Sequence, residues 1–408
     1  MRAAIAAAAL VLGSPAGAAA APALDTLASA QFLGGQYMFG SQKGSLGGNA
    51  SVSVVPAVRI DEGIRLVPVI ASSYQGTKQV LDLAGAGTLF QEQMDHRLGL
   101  RAVFGDEDGP WRIKPHAGFK YELLRETRDE RWGHGLFDYR RLGGGLEVEY
   151  VYRRPYSVRA GVEDFFTSFP NYASLESQAP ADLQGQPLAR ELAGRHVLDH
   201  HGQTAFAAAT FPSGRFEAEG RLAVQHVRYA GQHLVDSTGA LGREVRDDFL
   251  TALAWTLRMP ADLNTDRRWL GGFSLGAAYN SSDQNSYDAA RFKYLPRYYD
   301  YGEVSAGAQG TLLFGDRRRP ADVSAGLSWS LRSYPHRPTQ DETGLYGTGR
   351  QRQQALTFSA SAHYPMADRW SLAVQFQTGR ARSNQHYEQV YAYNYTEMSY
   401  LVGVSYEY

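Results

Sequence analysis

The chain has 408 residues, 41 Lys and Arg against 42 Asp and Glu, and no cysteine. A net charge of −1 leaves no electrostatic footprint for nucleic acid, and the missing thiols exclude disulfides and a lipidated cysteine. Mean hydropathy is −0.38, and no apolar run of about eighteen residues occurs, which excludes helical membrane spans. A membrane β-barrel survives both exclusions, because only every second residue of its strands must be apolar.

The N-terminus begins with the positive pair Met1-Arg2, continues through an apolar stretch at 3–12, and reaches small residues at Ala18-Ala19-Ala20 and Ala21-Pro22-Ala23. This is the layout of a secretory signal peptide. Residues 1–23 are therefore expected to be cleaved, leaving 24–408 as one domain without linkers or low-complexity tracts.

From there apolar and polar residues alternate almost to the end. In 111–123, Trp111, Ile113, Ala117, Phe119, Tyr121 and Leu123 oppose Arg112, Lys114, His116, Lys120 and Glu122. In 215–225, Phe216, Ala218, Gly220, Leu222 and Val224 oppose Arg215, Glu217, Glu219, Arg221 and Gln225. In 368–377, Trp370, Leu372, Val374 and Phe376 oppose Ser371, Ala373, Gln375 and Gln377. Period two is the strand signature and has no helical competitor. The pattern predicts about sixteen strands, over 30–39, 49–60, 63–73, 93–104, 111–124, 137–151, 156–166, 202–211, 215–229, 246–258, 267–279, 300–314, 321–333, 353–364, 368–382 and 393–408.

Their connections alternate in length. Short ones, rich in Gly, Pro and Asp, fall at 61–63, 106–110, 153–155, 212–214, 262–266, 316–320 and 365–368. Longer polar ones fall at 74–92, 125–136, 167–200, 230–245, 280–299, 334–352 and 383–392, with a short one at 40–48 on the same side. The expected fold is thus all-β: a transmembrane, antiparallel, up-and-down β-barrel with short periplasmic turns, long outer loops and both termini periplasmic. A soluble sandwich or propeller fits less well, since its strands recur every 8–12 residues and here the repeat is about 24. Enrichment in Tyr (25) and Gly (43) suits interfacial aromatic girdles and close strand approaches.

If the apolar positions meet lipid, their neighbours line the lumen. That places Arg65, Arg97, Arg101, Arg112, Lys114, Lys120, Arg141 and Arg159 inside, with Glu122, Glu147, Glu149, Glu163, Glu217 and Glu219. Later strands offer Ser274, Gly276, Ser305, Gly307, Gln309, Ser324, Ser328, Ser330, Thr357, Ser359 and Ser361. One wall is charged and the other neutral and small. The charges fit two readings: a transverse field that selects polar solutes, or cross-strand pairing that keeps each charge satisfied. The second is favoured.

The longest loop, 167–200, carries Pro180, Pro187 and the run Arg190-Glu191-Leu192-Ala193-Gly194-Arg195. It is long enough to constrict the mouth. Asp199-His200-His201 is the Asp/His cluster a hydrolase would need, but no nucleophile or second carboxylate pair accompanies it, and a rim or loop-stabilising role is preferred. Asp262, Asn264 and Asp266 begin like a calcium loop, yet Gly is missing at the sixth position and Phe273 stands where the closing Glu belongs. A turn is the better reading. No catalytic residue, cofactor site or metal site is assigned.

The chain ends on Tyr400-Leu401-Val402-Gly403-Val404-Ser405-Tyr406-Glu407-Tyr408. Tyr400, Val402, Val404, Tyr406 and Tyr408 share one face, and Glu407, Ser405, Gly403 and Leu401 the other. This resembles the closing strand of a Gram-negative outer-membrane β-barrel, and the resemblance implies that the strand serves as the tag read by the barrel-insertion machinery. More loosely, Ser333-Tyr334-Pro335-His336-Arg337-Pro338, Ser383-Asn384-Gln385-His386-Tyr387 and Tyr391-Ala392-Tyr393-Asn394-Tyr395-Thr396 resemble barrels that accompany secretion and polysaccharide-export systems. The expected function is a passive polar channel or export pore. The alternative is a structural barrel docking an envelope-spanning secretion, polysaccharide-export or motility complex. Outer-membrane lipid, the insertion machinery and envelope-complex components are the expected partners.

Overall fold

The computed structural model describes residues 23–41, 44–83, 85, 87–106, 108–154, 156–173, 190–264, 266–288, 291–316, 319–388 and 392–408. The expected signal peptide, Pro180 and Pro187 lie outside them. Sixteen strands form one closed sheet: β1 (Ala23–Phe39), β2 (Ser45–Asp61), β3 (Ile64–Gln75), β4 (Glu92–Phe104), β5 (Trp111–Arg125), β6 (Tyr139–Arg153), β7 (Tyr156–Ser168), β8 (His200–Ser213), β9 (Phe216–Val235), β10 (Leu241–Asn264), β11 (Arg267–Ser282), β12 (Tyr301–Phe314), β13 (Ala321–Gln340), β14 (Tyr346–Ala367), β15 (Trp370–Ser383) and β16 (Tyr395–Glu407). Each pairs antiparallel with the next in chain order. β16 then returns to β1, from Ser29 opposite Glu407 to Phe39 opposite Glu397.

The barrel is inside out relative to a soluble core. Leu98, Leu100, Ile113, Phe119, Leu253, Leu275, Leu327, Leu356 and Val402 are exposed on its outer surface, and the residues between them turn inward. Such a belt is stable only against lipid, where the alternating period serves two solvents at once. Aromatic residues ring its short-turn end, with Trp111 against Tyr150 at 4.7 Å and Trp370 against Tyr406 at 5.0 Å. Arg153 and Arg369 stack on Tyr152 and Tyr408 there, the amphipathic pairing expected at a membrane interface.

The closing strand behaves as its alternation predicts. Tyr400, Val402 and Tyr408 are exposed, whereas Leu401 and Ser405 are buried. Inside the seam Leu401 packs with Leu33 and Ala373. The strands approach closely here: a Cβ at Gly35 would run into the Tyr400 carbonyl oxygen, and one at Gly403 into that of Phe32.

Two expected long loops are corrected. The segments 230–245 and 334–352 are strand almost throughout, and only 236–240 and 341–345 turn. Register shifts between Arg228 and His233 and between Ser333 and Pro338 break the alternation that would have revealed them. Both turns have the same sequence logic, Asp236-Ser237-Thr238-Gly239 and Asp341-Glu342-Thr343-Gly344. In each the Asp Oδ1 accepts from the Thr backbone N–H, the Thr hydroxyl and the N–H two residues further on. In each the Gly adopts φ near +80°, at 80° for Gly239 and 81° for Gly344. The expected loops 74–92 and 280–299, conversely, hold small hairpins, Gln79–Asp82 with Gly87–Phe90 and Ser286–Asp288 with Lys293–Leu295.

The seam yields a first prediction. Gly403→Val overpacks it by about 1–3 kcal/mol or more, so the folded, heat-modifiable band on cold gels should fall sharply relative to wild type, while Ser405→Ala keeps it.

Candidate functional site

The charged wall is a set of cross-strand ladders. Lys114 Nζ on β5 lies 2.8 Å from Glu147 and 2.9 Å from Glu149 on β6, and Arg112 adds a 3.4 Å contact to Glu149. Asp95 on β4 takes Arg97 at 2.6 Å and Lys120 at 3.0 Å, and Lys120 also pairs with Glu122. Arg159 reaches Glu219 at 2.9 Å across β8, and Glu217 meets Arg258 at 3.3 Å. Arg141 donates to the Thr167 hydroxyl and stacks on Phe165. Arg65 stands opposite Arg59 in register. Of the predicted charges, Arg101 and Glu163 make no ion pair among the described residues. Neighbour pairing therefore accounts for most of this wall. The sequence reading missed Asp95, which holds two cations; its alternation with Met94 and His96 was the available signal.

The opposite wall is smooth, and a hollow of the lumen lies against it. A cavity of about 360 Å³ is lined by Gln309, Ser324, Ser359, Ser361, Gln375 and Gln377 on β12–β15, and by Asn49, Gln75 and Thr77 from across the barrel. Only an interior space can touch β2, β3 and β12–β15 together. It adjoins a second hollow of about 240 Å³ bearing Thr256, Ser274, Ser328 and Thr357. Hydroxyls and carboxamides, each able to donate and accept, make up most of the polar lining of both, with Lys78 and Glu397 in the first and Arg258 in the second.

Above the cavity the loops fold inward. Phe90, Leu124, Phe137, Phe169, Tyr172, Val197 and Leu198 form a buried apolar cluster drawn from three loops. Asp138 caps it by accepting from the Leu124 and Gly135 N–H groups, and Asp199 by accepting from the Phe169 N–H at 2.6 Å. From this cluster the Gln79–Phe90 hairpin crosses the mouth. Asp82 accepts from Arg332 on β13 at 2.6 Å, and the Gly85 carbonyl accepts from Arg337 at 2.8 Å. Arg337 is 1% exposed, sandwiched between Tyr298 and Tyr334 at 4.0 Å each. Arg246, with Asp248 as its carboxylate, stacks on Tyr229 and Tyr299. Arginine–aromatic stacking lets a guanidinium remain buried where ammonium would demand water.

The described parts of loop 167–200 belong to this cover. Glu191 is buried and accepts from the Tyr299 hydroxyl at 3.2 Å. Asp199, His200 and His201 diverge: Asp199 caps the loop, His200 bonds the Leu198 carbonyl, and His201 turns outward to Asp164. The three side chains do not meet one another; Asp199 instead also pairs with His196 at 3.1 Å. Asp262 meets Arg268 at the barrel surface, and Asn264 accepts from the Asp266 N–H, as a turn does. Among the described residues no group of His, Asp and Glu forms a metal cage.

A closed sixteen-strand barrel with an apolar exterior, aromatic ring and wet polar interior defines the class, an outer-membrane β-barrel. No family model matches the chain, and no characterised protein sequence does. Among solved structures it is similar to opdK, an outer-membrane protein from Pseudomonas aeruginosa, at 11% identity over 94% of this chain and 99% of that one, with a TM-score of 0.47. It is also similar to OmpT, an outer-membrane protein of Vibrio cholerae, at 12% identity over 95% and 100%, with a TM-score of 0.44. A bacterial polysaccharide outer-membrane secretin matches at 8% identity over 93% and 98%, with a TM-score of 0.43. Likenesses this loose carry no functional weight.

Two predictions follow from the geometry. Lys114→Met leaves Glu147 without its cation and Glu149 with Arg112 alone, and should cost about 1–3 kcal/mol, read as a lower urea midpoint; adding Glu147→Gln should recover much of it. Burial raises the Glu191 carboxyl above the usual carboxylate range. The closed cover then holds this proton more tightly than an opened loop does. Closure is favoured at low pH and weakens as pH climbs from the ordinary Glu value of about 4.3. Trypsin cleavage at Arg195, normalised to Glu191→Gln at each pH, should accelerate across that window.

Proposed function

We propose that the barrel is a passive channel for uncharged, hydroxyl-rich solutes, saccharides being the chemical class that fits. The observation that carries this is the hydroxyl- and carboxamide-lined cavity beneath the outer loops. The opposing charges are mostly spent on one another, so they repel neither anion nor cation strongly; Arg101, Arg141 and Glu163, which meet no opposite charge among the described residues, supply a remaining bias, together with Lys78 and Glu397 at the cavity. Polar groups that donate and accept at short intervals let a sugar exchange one set of hydrogen bonds for the next. Transport in either direction, uptake or polymer export, is compatible with this lining. In this reading the short turns and both termini are periplasmic, the long loops face outward, the insertion machinery reads the closing strand, and the protein is not an enzyme.

A second reading draws on the loop cover. A mouth bridged by Asp82 and Arg332 and sealed by an apolar cluster also suits a plugged barrel that docks an envelope complex.

Planar-bilayer recording separates them. Asp82→Asn with Arg332→Gln should raise single-channel conductance or opening frequency, and maltohexaose should block the current. Gln309→Trp with Ser359→Trp should weaken that block several-fold. A purified, folded barrel that stays silent even with the bridge removed would overturn the channel and favour docking. Because the chain has no cysteine, Ser237→Cys labelled on intact cells by an impermeant maleimide reports orientation independently.

A further inference from the structure

Outside the barrel, above the lipid-facing ladder of β14 and β15, four arginines stand together. Phe358, Leu356 and Gln354 lead up β14 to Arg352 and Arg350, and Leu372, Val374 and Phe376 lead up β15 to Arg380 and Arg382. All four arginines are exposed. They alternate with the inward, buried Gln351 and Ala381, which fixes them on the outer face. Register sets Arg380 opposite Leu356 and Arg382 opposite Gln354, so the lowest arginine is level with the top of the apolar belt.

No side chain of the four makes a hydrogen bond, ion pair or ring contact among the described residues. The outward positions of β14, β15 and β16 carry no carboxylate at all: the acids of β16, Glu397 and Glu407, alternate with the exposed Tyr400 and Val402 and so point inward. Elsewhere on the outer surface His201 meets Asp164 at 2.7 Å and His226 meets Asp247, and the outward Arg140 stacks on Tyr121. Four uncompensated guanidinium groups over apolar surface are costly through mutual repulsion unless an anion sits among them. Side chains spaced by about 7 Å along a strand and about 5 Å across strands bracket a phosphate group, which arginine binds bidentately.

We propose that this face is a binding site for a membrane lipid bearing phosphate on its headgroup. Its acyl chains lie along Leu356, Phe358, Val374 and Phe376, and its phosphates are held by Arg350, Arg352, Arg380 and Arg382. Continuity between the apolar ladder and the cationic patch selects a lipid over a free anion. The lipid would belong to the leaflet at the long-loop end, which rests on the orientation given above.

Native mass spectrometry of the full barrel in mixed micelles tests it, with bisphosphorylated lipid A as the probe. The wild type should retain the lipid, and the dephosphorylated form should be retained at least about tenfold less well. Arg352→Gln/Arg380→Gln/Arg382→Gln should lose retention to a similar extent, and Arg140→Gln, outward on the other side of the barrel, should not. Equal retention of both lipids by the wild type, or unchanged retention by the triple variant, would overturn the site. Displacement by excess inorganic phosphate alone would show an anion site without lipid and overturn the proposal as stated. If the triple variant does not fold, the comparison of the two lipids on the wild type still decides. Micelles have no sides, so failure of the Ser237→Cys labelling would move the leaflet without touching this result.

Discussion

Every backbone N–H and C=O in a lipid-exposed sheet must find a partner within the sheet, because hydrocarbon offers none. For this chain that requirement is met at one place, the pairing of β16 with β1. The other fifteen pairings are local hairpins that form between neighbours in sequence. This one joins residues from opposite ends of the chain, and without it two edges would face lipid. The glycines at Gly35 and Gly403, where any side chain would strike the partner's backbone, mark how tightly it is drawn. The interior follows from closure, since a lumen exists only once the edges are gone.

Inside, the barrel divides its labour by strand. The β4–β9 wall carries charge, and most of it is neutralised by a partner on the same strand or one or two strands away. The β11–β15 wall carries small hydroxyl and carboxamide residues, whose lack of bulk leaves the hollow. Charges with long side chains fill space as well as pair, so the passage is displaced towards the neutral side. The loop cover starts over the charged wall and reaches the other by Asp82 and Gly85, anchored to Arg332 and to Arg337, which aromatic rings keep buried. The paired Asp-x-Thr-Gly turns extend the β9–β10 and β13–β14 hairpins past the rim, and these hairpins hold the buried Arg246 and Arg337.

Legibility in the sequence followed the strength of the alternation. Strands such as 111–124 and 156–166 were read to within two residues, because one face meets lipid and the other water and the pattern is unbroken. The hairpins around Asp236 and Asp341 were misread as loops, since a bulge shifts the parity and the flanking Gly231, Pro335 and Pro338 look like breakers. Of the site residues, the Arg, Lys and Glu positions alternate in sequence with the apolar ones, and that period is all the sequence offers about them. Their partners were not assigned, because register between strands is not encoded in the period.

The sequence by itself determined the barrel: strand count, the side of the residues wherever the alternation is unbroken, most of the turns and loops, and the closing strand. These are local properties of a period-two pattern between two solvents. Only the tertiary structure decided that Asp95 serves two cations and that the hollow lies against β12–β15. It alone brought Asp82 to Arg332 across the mouth, and grouped four arginines above one patch of the lipid-facing surface. Those facts depend on register, strand tilt and loop path, which bring together residues far apart in the chain that no periodicity connects.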